Sequence, residues 1–309
     1  MKARGIALLA LAFVLVPVSA FSVPGGAYSY RFTLQGHGLD PKDKTVIGFP
    51  TRYIVKKKDT LLDIARNHGL GFNELADLYP DVDPWVPPQG KELVIPSVWV
   101  LPRAKKEGIM INLPEFRLFY FMKQVGMVKT YPVGIGDEGW DTPVGTFWIA
   151  TKTVRPTWYV PESLQAKYGT KVVPPGPENP LGDYWMGLGR TSYGIHGTNF
   201  PWAVGRLVTH GCIRLYPEDM ERFFPMIEKG TPVEIVYEPV KFGTASGRIY
   251  VEVHRDIYRK VKDFLIYGWS RLAEKGLVDK VDRLKFQRAL ERQDGLPVDI
   301  TLRRLSLGG

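Results

Sequence analysis

Between Gly108 and Tyr237 the chain is a succession of short apolar, β-branched and aromatic runs separated by glycine and proline, and this pattern constrains the fold more than any other feature. The runs cover Gly108 to Leu113, Arg117 to Met122, Val128 to Gly134, Gly145 to Thr153, Tyr184 to Leu188 and Pro232 to Tyr237. Each has strand length and is bounded by turn residues, so the region is predicted to be an antiparallel β-domain. One helix is predicted inside it, from Pro217 to about Ile227. Pro217 suits a first helical turn, and Glu218 and Asp219 complement the positive end of the helix dipole. The 32 glycines and 25 prolines fit a turn-rich, mainly β chain. Hydrophobic residues at 44% and charged residues at 24% are ordinary globular usage, which argues against wholesale disorder and against a polytopic membrane protein.

A length of 309 residues leaves room for two folded units plus export and linker segments. Lys2 and Arg4 precede an apolar run from Ile6 to Val16, then Pro17 and the small-residue pattern Val18-Ser19-Ala20, so residues 1–20 are expected to be a secretory signal peptide. The apolar run falls short of the roughly 20 residues that span a bilayer, so no transmembrane segment is expected after cleavage; an uncleaved anchor is the alternative. Residues 21–50, with Gly25-Gly26, Gly36, Gly38, Pro41 and Pro50, read as a linker with one short strand at Tyr28 to Leu34. A compact βααβ module is predicted over 51–97. Tyr53-Ile54-Val55 opens it, Thr60 and Asp63 form a capping box for a helix over Leu61 to Asn67, and Gly69 ends that helix. Asn73 is expected to cap a second helix over Glu74 to Tyr79, and Lys91 to Pro96 supplies the closing strand. Residues 248–309 are expected to hold a strand over Arg248 to Val253 and a helical extension. Its first helix carries the stripe Ile257, Val261, Phe264, Leu265 and Leu272, and a second covers 279–293.

Cys212 is the only cysteine, so no internal disulfide can form, and an exported chain would keep one free thiol. Such a thiol is either a buried packing residue or a reactive one. Its surroundings favour reactivity. His196 and His210 flank it in two glycine-punctuated turns, Gly194-Ile195-His196-Gly197-Thr198 and Thr209-His210-Gly211-Cys212-Ile213-Arg214. A free cysteine titrates near 8.5, so an imidazole that takes its proton supplies the nucleophile that neutral pH otherwise withholds. Gly211 permits close backbone approach, so the amides of Gly211 and Cys212 are candidates for oxyanion donors. The remaining histidines, His37, His68 and His254, have no such context and read as structural or solvated. Two other readings stay open. His196, His210 and Cys212 are all zinc-binding residue types, although His-Gly-Cys is tighter than known zinc spacings and no acidic base lies beside it, so no metal or cofactor is expected. A papain-like peptidase would place its cysteine before its histidine, the reverse of the order here.

The interval of sixteen residues from His196 to Cys212, inside Thr209-His210-Gly211-Cys212-Ile213-Arg214, resembles the signature of the L,D-transpeptidases, the YkuD domain. The likeness spans about 107–238 and includes YPVGIG at Tyr131 to Gly136, GWDTPVGTF at Gly139 to Phe147 and VVPPGPENPLG at Val172 to Gly182. Thr209 stands where many members have Ser. The module over 51–97 resembles a LysM domain, a small β-α-α-β unit that binds peptidoglycan glycan. It departs from that pattern at Lys58-Asp59-Thr60, where Gly-Asp-Thr is usual, and a lysine fits only if the backbone there needs no positive φ.

The fold class implied is mainly β, with one helix after the nucleophile, the small βααβ module and the C-terminal helical extension. The resemblance further implies Cys212 as nucleophile, His196 as proton acceptor and donor, the Gly197 carbonyl as the group that orients its ring, and Gly211 with Cys212 as oxyanion donors. Thr209, His210 and Arg214 are supporting residues, with Arg214 either locking the loop or meeting a substrate carboxylate. Tyr131, Trp140, Trp158, Tyr159 and Trp202 are either groove aromatics or core and rim packing. The implied reaction forms a thioester with the stem diamino acid of a tetrapeptide, releases D-alanine and passes the acyl group to an amine. A second stem would give a 3→3 cross-link, a wall-attached lipoprotein would be anchored, and water would give an L,D-carboxypeptidase. The implied partners are peptidoglycan stems and glycan in the periplasm or cell envelope. The net charge of +9 suits such an anionic partner. The basic residues are scattered without a nucleic-acid-binding signature, so nucleic acid is not expected. A peptidoglycan-binding protein that keeps the fold without the chemistry is the alternative of a different class.

Overall fold

The computed structural model describes residues 29–35, 38–103 and 105–302. The expected signal peptide, the first part of the expected linker and His37 lie outside them. A nine-stranded sheet organises the chain. Its strands run in the order Ser29–Arg31, Met127–Pro132, Arg117–Met122, Gly108–Asn112, Pro232–Val236, Gly145–Val154, Tyr184–Leu188, Gly194–His196 and Ile213–Arg214. The expected strand runs therefore join one surface, although not a purely antiparallel one. Pro232–Val236 pairs in parallel with Gly108–Asn112, and Ile213–Arg214 in parallel with Gly194–His196. Parallel neighbours need a crossover of a dozen or more residues, and the sixteen-residue interval between His196 and Cys212 is such a crossover.

The first strand runs carry apolar residues without interruption because both faces of that part of the sheet are covered. Ile109, Ile111 and Leu118 face one core together with Ile149, Met186, Ile195, Ile213, Met220 and Phe223. Met110, Phe119, Phe121 and Val128 face the other way, into a core shared with Ile64, Leu70, Leu75 and Trp99. The βααβ module thus packs on the back of the sheet. Within it, α1 (Leu61–Asn67) is capped by Thr60, whose Oγ1 accepts from the Asp63 amide at 3.0 Å. The second helix, α2 (Phe72–Ala76), is capped by Gly71, whose N–H donates to Glu74 Oε2 at 2.8 Å; Asn73, expected as the cap, lies inside the helix. Thr51–Ile54 and Glu92–Ile95 pair antiparallel. The segment expected as linker is partly structured, because Ser29–Arg31 extends the main sheet and Val46–Gly48 pairs with Val98–Val100.

Two helices lie within the β-region: α3 (Glu162–Tyr168), which was not anticipated, and α4 (Pro217–Phe223), shorter than expected and continued by a 3₁₀ turn. After the sheet, Val240–Ala245 and Arg248–Val253 form a hairpin against α5 (Phe264–Glu274) and α6 (Arg283–Arg292), with a third core around Leu272, Phe286 and Leu290. The helix expected to include Ile257 begins only at Phe264. Asp256 accepts from the amides of Lys260 and Val261 at 3.0 and 2.6 Å, turning the chain, and Asp263 then caps α5. Ile257 packs instead against the core that holds Ile149, Met186 and Ile213. The whole is a mixed α/β protein with a β-rich sheet. No helix of the described residues is long and apolar enough to cross a membrane.

Candidate active site

The parallel pairing of Gly194–His196 with Ile213–Arg214 assembles the site. Ile195 stands opposite Ile213 and His196 opposite Arg214. Alternate residues share a sheet face, so Ile195 and Ile213 fill the core while Gly194, His196, Cys212 and Arg214 share the other face. Cys212 directly precedes the paired strand and is held beside Gly194, two residues before His196. Cys212 is a part-exposed free thiol that takes a hydrogen bond from the Gly194 backbone.

His196 is buried, 2% exposed, and its Nδ1 lies 2.6 Å from the Gly197 carbonyl. A carbonyl only accepts, so Nδ1 carries the proton and, in the neutral ring, Nε2 carries the lone pair. The Leu181 carbonyl also favours the protonated ring. Burial, and then the nearby Arg214 cation, push the imidazole down to about 3 despite these carbonyls. Burial also raises the Cys212 thiol, against the Gly194 hydrogen bond and Arg214. Both shifts favour the uncharged thiol and the uncharged imidazole.

Thr209 braces the nucleophile turn, accepting from the Gly211 amide at 3.1 Å and donating to the Cys212 carbonyl at 2.7 Å. The Gly211 N–H, expected to serve an oxyanion, is therefore already engaged. The Cys212 amide has no hydrogen bond among the described residues and remains the donor of that turn. Gly211 is needed for its shape: φ is +98° and a Cβ would meet the Tyr193 ring at 2.4 Å. His210 packs against Trp140, with centroids 4.6 Å apart, and does not converge with His196 and Cys212 as a zinc ligand set would.

Several residues of the site were not legible in the sequence. Trp185 is the cross-strand partner of His196 and stacks on it at 5.6 Å; a Cβ on Gly194 would strike its ring at 2.5 Å. The signal was present in Gly194 and Gly211, but which aromatic each glycine admits is set only by strand pairing. A strap made by Trp158–Tyr159, α3 and Val172–Val173 brings Tyr168 towards Arg214 and Lys167 towards His210. Asn179, fully buried in the VVPPGPENPLG segment, ties its base by donating to the Pro156 carbonyl at 2.9 Å and accepting from the Leu181 amide at 2.9 Å. A groove of about 650 Å³ runs beside Gly197 and Thr198 to Pro217 and Glu221. Of the aromatics read as either groove or core and rim residues, Tyr131 is core, packed on Phe223, whereas Trp158 packs on Tyr168 in the strap and Tyr159 is exposed. Trp202 is half-buried in the Pro201–Ala203 turn.

A face of this kind supports acyl transfer through sulfur, which places the protein among cysteine-dependent enzymes. A model described as the L,D-transpeptidase catalytic domain, YkuD, matches residues 106–235. The probable L,D-transpeptidase ErfK/SrfK of Salmonella typhimurium is 33% identical over 96% of this chain and 97% of its own length. The probable L,D-transpeptidase YcfS of Escherichia coli is 33% identical over 87% and 89% respectively. The solution structure of the catalytic domain of the Enterococcus faecium L,D-transpeptidase is 26% identical, covers 44% of this chain and superposes with a TM-score of 0.35. The chain belongs to the L,D-transpeptidase family, whose substrate is peptidoglycan.

Proposed function

We propose that the protein is exported to the cell envelope and joins peptidoglycan stems through an acyl-enzyme on Cys212. The reading is supported by the parallel strand pair, which brings Cys212 to the Gly194 backbone two residues before His196, and by the Gly197 carbonyl, which holds the Nδ1–H tautomer and leaves the lone pair on Nε2. Cys212 Sγ attacks the carbonyl of the stem diamino acid at its bond to the terminal D-alanine, and its proton passes to His196 Nε2. The Cys212 amide stabilises the oxyanion. The C–N bond breaks as His196 returns the proton to the departing amine, leaving a thioester. An incoming amine, from a second stem or a wall-attached lipoprotein, then attacks the thioester and gives a proton to His196, the C–S bond breaks, and His196 returns that proton to the Cys212 sulfur.

The βααβ module is proposed to be a LysM-type glycan binder. Contrary to the expectation that a lysine there requires an ordinary backbone, Lys58 has a φ of 72°, so the turn keeps a left-handed shape with a lysine in the place where glycine is usual. Incubation with a disaccharide tetrapeptide tests the reading: an adduct on Cys212 and release of alanine are expected, and their absence would favour a binding protein. Supplying competing amines and water identifies the acceptor from the product masses.

A further inference from the structure

We propose that the βααβ module has a second role, as a wall of the active site: Arg66 and the turn 70–72 hold the nucleophile turn and the groove in place, so acyl transfer depends on the module even when the donor carries no sugar. The inference rests on the acyl-transfer reading and assigns Arg66 to it as a positioning residue.

Domains joined along one chain ordinarily meet through modest, polar surfaces and move relative to one another. This junction is built differently. The module shares a core with the sheet, and its turn 69–72 is held twice. The sheet holds it through the fully buried Arg117, which donates to the Gly69 carbonyl at 3.1 Å and pairs with Glu74 at 2.5 Å. The crossover that carries the chain from His196 to Cys212 holds it too. There the Phe72 amide donates to the Val204 carbonyl at 3.3 Å, and the Arg206 guanidinium lies 4.0 Å from the centre of the Phe72 ring. Gly71 and Gly205 let the two backbones touch: a Cβ on Gly205 would meet the Phe72 nitrogen at 2.3 Å, and one on Gly71 would meet the Gly205 Cα at 2.9 Å. The Gly205 amide also donates to the Val133 carbonyl at 3.0 Å, so the crossover is tied to both module and sheet.

The module also grips the chain just past the nucleophile. Tyr216 donates its hydroxyl to the Leu70 carbonyl at 3.1 Å. The Arg66 guanidinium lies over the Tyr216 ring, 5.4 Å from its centre, and forks onto both oxygens of Glu218 at 2.7 and 2.8 Å. Glu218 in turn lines the groove beside Gly197 and Thr198. The ties thus fall on either side of Cys212, with the crossover before it and Tyr216 and Glu218 after it. A fork of two charge-assisted hydrogen bonds fixes direction as well as distance, and a displacement of about 1 Å at a reacting group can cost about 100-fold in rate. Arg66 is not among the described residues that line the groove, so its influence passes through Glu218 and Tyr216.

The test is single-turnover acylation of Cys212 by a free tetrapeptide, without sugar, in wild type, Arg66→Met, Arg66→Lys, Glu218→Gln and the double variant Arg66→Met/Glu218→Gln. A module that only delivers glycan would leave the Arg66 variants at the wild-type rate. Arg66→Met should instead acylate about 10-fold or more slowly. Arg66→Lys keeps the charge without the fork and should recover part of the rate. The double variant should be no slower than the slower single one, because both break the same contact. The pair is 31% exposed on each side, so its loss costs little stability and the variants should stay folded, as circular dichroism would show. Tyr216→Phe, which removes only the tie to Leu70, should slow acylation independently. Arg52→Met, which breaks the exposed pair with Glu92 elsewhere on the module, should acylate like wild type. A wild-type rate in Arg66→Met, or losses that multiply in the double variant, overturns the proposal. A wild type acylated only by the disaccharide tetrapeptide overturns it as well, since the module would then act through bound glycan. A wild type acylated by neither donor would instead count against acyl transfer itself.

Discussion

Two groups of ionisable side chains among the described residues are built on opposite rules. At the junction of sheet, module and C-terminal hairpin, Lys241, Glu115, Glu252 and His254 are nearly sealed from water. There Lys241 pairs with Glu115, with Glu252 at 2.8 Å, and donates to the Val100 carbonyl at 2.7 Å. Glu252 also accepts from His254 at 2.6 Å and from the Val100 amide, while Asn112 donates to Glu115 at 2.6 Å. Almost every charge has its counterpart within the chain. Around the paired strands Gly194–His196 and Ile213–Arg214, neither His196 nor Arg214 forms a salt bridge among the described residues. Paired burial fixes one arrangement of the chain, whereas unpaired burial keeps reactive groups waiting for a substrate. The difference separates a structural cluster from a functional one more sharply than residue type does, because both contain a histidine and a cation.

The largest effect should come from the unpaired group. Cys212→Ala is expected to abolish both acylation and turnover while leaving the melting temperature within a few degrees, and residual turnover would mean that another nucleophile carries the reaction. Next comes the paired group. Lys241→Met leaves Glu115 and Glu252 buried without their cation and should lose about 3–5 kcal/mol in urea unfolding. The rate of Cys212 alkylation under native conditions should not change, and a loss below about 1 kcal/mol would break the contrast between the clusters.

The pH dependence of stability sharpens the same comparison. Burial first, and then Arg214, hold His196 down to about 3, against about 6.5 in an unfolded chain. Between these values the unfolded state binds more protons, so the neutral ring contributes stability that is complete above pH about 6.5 and is lost as pH falls towards 3. The stability difference between wild type and His196→Gln should therefore shift against wild type on acidification, by up to about 1.4 kcal/mol per pH unit. A difference that stays constant from pH 7 to pH 4 would contradict the burial of an ionisable ring. The smallest effect lies in the module. Lys58→Gly relieves a left-handed lysine and should add about 0.5–1 kcal/mol of stability, read from the urea midpoint. No gain there would mean that Lys58 makes compensating contacts.

By itself the sequence determined the strand runs, the Thr60 cap and the pairing of Cys212 with His196 as candidates, because periodicity, capping and nucleophile chemistry are local properties written within a few residues. The apolar texture of Gly108–Asn112 and Arg117–Met122 is explained by burial on both faces, which the sequence reading did not draw from it. What covers the second face was decided by tertiary structure, which packed the βααβ module there. Parallel pairing was likewise invisible until the crossover closed, and it brought Trp185 onto His196 and left Arg214 beside Cys212. The same closure turned the Gly211 amide towards Thr209, and the long-range contacts of Asp256 ended the apolar stripe before it could become one helix. Local chemistry names the reacting groups, but which groups stand beside them, and whether a buried charge finds a partner, depends on residues far apart in the chain.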